Sequence, residues 1–107
     1  MRKLSLCIAA FSILSSAPAQ ACDLDRLIGW TLIAKKTVVA YVEDGEKEDG
    51  YKGCSYRRIL VFSDGTGVSC ATYSYDYAYR PDAYIFTDGV SLKMCIDGDI
   101  VDARLLR

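Results

Sequence analysis

The chain has 107 residues, with 13 basic and 14 acidic side chains, no histidine and a formal charge of −1. That length suits one small domain, and the mild acidity argues against nonspecific nucleic-acid binding. The missing histidine removes the ordinary base of serine and cysteine nucleophile systems.

Residues 1–21 read as a cleavable secretory signal peptide: Arg2 and Lys3 precede an apolar run over 4–14, and Ala19-Gln20-Ala21 follows. The basic start favours the cytoplasmic side, the apolar run is too short for an ordinary membrane span, and Ala19 and Ala21 suit a signal peptidase. Cleavage would leave residues 22–107 as a single small β domain of 86 residues, its charge shifted to −3 by the loss of Arg2 and Lys3. A cysteine directly after the cut admits a lipid anchor at Cys22, but Gln20 stands where lipoprotein signals carry a small residue. The expectation is therefore soluble export to the periplasm or medium, from a bacterial source, with no transmembrane segment in the mature chain.

Cleavage would also discard Cys7, leaving an even set of Cys22, Cys54, Cys70 and Cys95. In an oxidising compartment such a set reads as two disulfides. All three pairings stay open. Cys22 with Cys54 and Cys70 with Cys95 is preferred, because it pins the amino-terminal segment and ties the central hairpin to the later strands. No two cysteines form a CxxC pair and no histidine accompanies them, so no metal and no cofactor are expected.

From the amino terminus, residues 23–28 suggest a short helix with Leu24, Leu27 and Ile28 on one side and Gly29 as its stop. Strands are expected over 30–42, 56–62, 68–79, 84–87, 90–96 and 100–105, all rich in β-branched and aromatic residues. The acidic stretch 43–50, bracketed by Gly45 and Gly50, reads as a flexible solvated loop, and its acids lack the alternate spacing of a calcium loop. Gly65 and Gly67, Asp88-Gly89 and Asp97-Gly98 mark tight turns, and Pro81 marks a bend. Five to six short antiparallel strands in so small a chain predict an all-β fold. A small barrel or compact meander, stabilised by disulfides and preceded by the short helix, would protect its own edges.

Tyr73, Tyr75, Tyr77 and Tyr79 alternate with small or polar residues, a spacing that places all four on one face of a strand. The rings either cover the barrel wall and core, or form an exposed platform for a sugar ring, an extended peptide or a partner protein. On the second reading Tyr75, Tyr77, Tyr79 and Arg80 are the ligand-binding residues, with Asp76 adding a polar contact. Tyrosine supplies large contact area at little entropic cost. Lys35-Lys36 and Arg57-Arg58 are neighbours in strands and point to opposite faces, which suits solubility better than gripping an anion.

The expected function is noncatalytic: an exported binding or inhibitor-type module recognising an envelope protein or glycan through an aromatic strand face. The alternative is a small envelope-acting hydrolase using two carboxylates drawn from Asp64, Asp76, Asp82, Asp88, Asp97, Asp99 and Asp102. Most of these stand at turns, where aspartate caps the local backbone, and no catalytic residue is assigned. Oligomeric state is not legible.

Overall fold

The computed structural model describes residues 22–106, so the signal peptide expected over 1–21 lies outside the described residues. Seven antiparallel strands follow one 3-10 turn at Leu24–Leu27. They are β1 (Thr31–Glu43), β2 (Glu46–Asp49), β3 (Arg58–Phe62), β4 (Gly67–Cys70), β5 (Asp82–Thr87), β6 (Leu92–Ile96) and β7 (Asp99–Leu105). Six of them close a barrel in the order β1-β3-β4-β7-β6-β5, with β5 pairing back onto β1. Closure gives every barrel strand two neighbours, which satisfies the backbone groups an open sheet would expose along its edges.

Period-two patterning fills the interior. Leu60 and Phe62, Val68 and Cys70, Ala83 and Ile85, Leu92, Met94 and Ile96, and Val101 and Ala103 all turn into one core. β1 departs from strict alternation, since its register against β3 shifts between Val38 and Ala40. The extra residue, Val39, reverses the phase, so Val38 before the bulge and Tyr41 after it both reach the core. A second shift, between Leu32 and Ala34, adjusts β1 against β5.

Three expectations about the elements are corrected in detail. The acidic stretch is a hairpin, because Asp44 and Gly45 both take positive φ (53° and 84°) and turn β2 back onto Ala40–Glu43 of β1. The amino-terminal helix is a single 3-10 turn capped by Asp23, whose Oδ1 accepts from Asp25 N at 3.1 Å; only Leu27 of its apolar residues is buried. The strand expected over 68–79 stops at Cys70.

The disulfides join Cys22 to Cys95 and Cys54 to Cys70, with Cα separations of 6.0 and 5.5 Å. This corrects the preferred pairing of Cys22 with Cys54 and Cys70 with Cys95, and alternation explains why. Cys70 points into the barrel with Val68, whereas Cys95 lies between the inward Met94 and Ile96 and faces outward. Those two sulfurs therefore stand on opposite faces of the wall and cannot meet. Cys54 drops into the core beside Cys70, and Cys22 covers Cys95 on the outer side of the wall, where both are buried.

Candidate functional site: a tyrosine ribbon over the barrel end

Residues 71–81 leave β4, cross the barrel end that carries the β6–β7 turn, and enter β5. This ribbon touches segment 51–54 through two isolated bridges, Cys54 with Ser74 and Tyr51 with Ala78. Cys54 N donates to Ser74 O and Ser74 N to Cys54 O, each at 2.9 Å. Although the ribbon belongs to no ladder, its alternation survives. Ala78 packs against the core and Ser74 and Asp76 turn inward, whereas Tyr73, Tyr75, Tyr77 and Tyr79 are 68, 75, 71 and 86% exposed. The rings are thus not core residues; the four form an outward-facing stripe.

The local sequence holds the ribbon close. Gly53 has φ +87°, and a Cβ there would run into the Ser74 carbonyl oxygen and approach Asp76 N at 2.9 Å. Glycine is required at that crossing for both its left-handed backbone and its missing side chain. Arg58 fastens the other side of the same segment: its Nη1 donates to the carbonyl oxygens of Lys52 (3.0 Å) and Gly53 (3.3 Å), and its Nε to Glu43 Oε1 (2.7 Å). The guanidinium also lies 4.4 Å from the Tyr41 ring centroid. The hydrogen bond from Arg58, foremost, holds the Glu43 carboxyl below the ordinary glutamate range. The Cys54–Cys70 disulfide completes the anchorage at the point where β4 ends.

Between the ribbon and residues 49–52 lies a cleft of about 320 Å³, bordered by Asp49, Tyr51, Lys52, Tyr77, Tyr79 and Arg80. Three of the four anticipated binding residues meet there, and Tyr75 stands farther along the stripe, outside the cleft. Arg80 has φ +45°, an uncommon conformation for a non-glycine residue, and its guanidinium sits 5.8 Å from the Tyr79 ring centroid. Neither Lys52 nor Arg80 forms an ion pair with a described carboxylate. The basic pairs singled out from the sequence are all engaged. Lys35 meets Asp82 at 3.7 Å, Lys36 meets Asp64 at 2.9 Å, Arg57 meets Asp44, and Arg58 meets Glu43.

Asp76 is not a surface contact. Its Oδ1 accepts from Tyr77 N at 2.9 Å, and its Oδ2 is buried without a partner. Beneath it the Tyr51 side chain, 1% exposed, closes the barrel end with its hydroxyl unpartnered; the Ser74 hydroxyl lies nearby without closing a well-formed hydrogen bond. Burial first, then the carboxylates of Asp76, Asp99 and Asp97, push the Tyr51 hydroxyl up to about 12. The neighbouring Asp76, foremost, raises the Asp97 carboxyl above the ordinary aspartate range.

A larger groove, about 920 Å³, runs beside Trp30, Lys93, Asp102 and Leu105. Its central charges are closed on themselves, with Lys93 Nζ 2.7 Å from Asp102 Oδ1 and 5.1 Å from the Trp30 ring centroid. Arg104 also lines this groove without a described ion pair, but the ribbon cleft sets two such cations, Lys52 and Arg80, beside exposed tyrosine rings and is the better chemical candidate. No protein-family profile, curated protein or solved structure matches this chain.

Among the described residues, none of the aspartates considered for hydrolysis borders the ribbon cleft. Nor is any group of three histidine, cysteine, aspartate or glutamate side chains placed to hold a metal ion, and no helix is long and apolar enough to cross a membrane. Lys52 was missed by sequence reasoning, and Asp49 was noted only as part of the acidic stretch 43–50. Asp49 ends the stretch read as a loop and Lys52 follows it, and only a long-range approach brings them to Tyr77 and Arg80.

Proposed function

We propose that the protein is a noncatalytic binding module of the inhibitor type, recognising an envelope protein or glycan through its tyrosine ribbon. The observation that carries this reading is the outward stripe of four tyrosines on a backbone anchored by Cys54–Cys70, Gly53 and Arg58. Burying such rings in a core would stabilise the fold, whereas holding them in water contributes little to it. Contiguous exposed aromatic surface is characteristic of interaction sites. Because the backbone is already tied down, binding would cost less ordering entropy than closing a free loop.

Two disulfides imply folding in an oxidising, extracellular-type environment. Export to the periplasm or medium, as the amino-terminal sequence suggests, would place the ribbon among envelope proteins and glycans. The test is affinity capture from envelope extract with the oxidised protein and with a Tyr75→Ser/Tyr77→Ser/Tyr79→Ser variant of unchanged circular dichroism. The recovered component is then purified and titrated against both proteins. Binding lost by about tenfold or more in the variant supports the reading, since interface tyrosines commonly contribute at least that much. Equal binding by both proteins would overturn it.

A further inference from the structure

We propose that the cleft between residues 49–52 and the ribbon binds a carboxylated pyranose, a sugar of the uronic-acid type, with its ring against Tyr77 and Tyr79 and its carboxylate between Lys52 and Arg80. This rests on the reading of the ribbon as a binding face and names the ligand that one end of it takes. Charge is the first argument. The basic side chains paired elsewhere on the barrel are committed to carboxylates, whereas Lys52 and Arg80 border one cleft without such a partner.

Asp49 borders the same cleft, so two positive charges face one negative, leaving a surplus that suits a singly charged carboxylate better than a phosphate. Asp49 also supplies acceptors for sugar hydroxyl groups. Geometry is the second argument. A volume of about 320 Å³ lies at the small end of ligand sites and suits a compact ring rather than an extended chain. Tyr77 and Tyr79 present apolar ring faces with hydroxyl tips, matching a pyranose that has CH-rich faces and a hydroxylated rim. Arg80 has its guanidinium 5.8 Å from the Tyr79 ring centroid, which places a cation beside the ring that the sugar would meet.

The experiment is a heteronuclear NMR titration of the isotope-labelled oxidised protein with D-glucuronate, methyl glucoside and sodium acetate. Lys52→Gln and Arg80→Gln variants serve as controls; both positions are exposed, and a retained dispersed spectrum verifies folding. The proposal expects glucuronate to shift amides of residues 49–52 and 77–80, binding about tenfold more tightly than either other probe. Each variant should lose about tenfold for glucuronate and leave the response to methyl glucoside unchanged.

Equal binding of glucuronate and methyl glucoside would overturn the proposal while leaving the ribbon a neutral-ring platform. Equal binding of acetate and glucuronate would overturn it in favour of any carboxylate, including one on a protein partner. Shifts elsewhere, or none with any probe, would also overturn it, and the capture experiment would then decide separately whether the ribbon binds at all.

Discussion

Gly53 shows how much one position decides. Its left-handed backbone and the approach of Ser74 O leave no room for a methyl group, so Gly53→Ala is expected to cost about 1–3 kcal/mol in urea denaturation. Asp97 makes the opposite case. Its carboxyl is raised by the Asp76 carboxylate, so the folded state binds the proton more tightly than the unfolded chain. Relative stability from this group is therefore fully present below the ordinary aspartate value of 3.8 and is lost as pH rises through the elevated folded value. Asp97→Asn removes the repulsion and suits φ +50°, so it should raise the urea midpoint at neutral pH, the gain shrinking as the solution is acidified. A gain that is the same at every pH would contradict this account. The shared face of the tyrosines was legible from alternation, because period two needs no tertiary information. The place of Lys52 and the meeting of Asp97 with Asp76 were not, since their neighbours arrive from distant segments.

Among the elements, β2 and the ribbon diverge most from expectation. Repulsion among Glu46, Glu48 and Asp49 suggested a loose loop, yet the Asp44-Gly45 turn is strong enough to pair them with β1, where their side chains remain in water. The ribbon has strand-like composition but lacks a continuous partner, because Gly50 and Gly53 break segment 51–54 with positive φ and leave only two bridging points. A covalent tie replaces the missing ladder. The Cys54→Ala/Cys70→Ala variant should lose about 2–5 kcal/mol of stability. It should also speed amide exchange at Cys54→Ala's bridge partner Ser74 and at Ala78 more than in β5 and β6. Uniform acceleration across the barrel would show that the disulfide stabilises the whole domain without anchoring the ribbon.

The barrel as a whole depends on β5 closing against β1 around one core. Phe62, 2% exposed, packs where β3 meets the bulged stretch of β1, and Phe62→Ala should cost about 3–5 kcal/mol. That is a large share of a small domain's stability, so circular dichroism and tyrosine fluorescence should report one shared, earlier unfolding transition. Separate transitions would mean that the ribbon end and the barrel wall unfold independently. The all-β class, the turns at Gly65, Gly89 and Gly98 and the even cysteine set of residues 22–107 were legible because propensity, positive φ and alternation are local properties of a chain. The disulfide pairing, the solvent-facing stripe and the meeting of Lys52 with Arg80 were decided only in three dimensions. Alternation states which residues share a face, but barrel closure decides which face meets water, and the crossing of connections over the barrel end decides which distant side chains become neighbours.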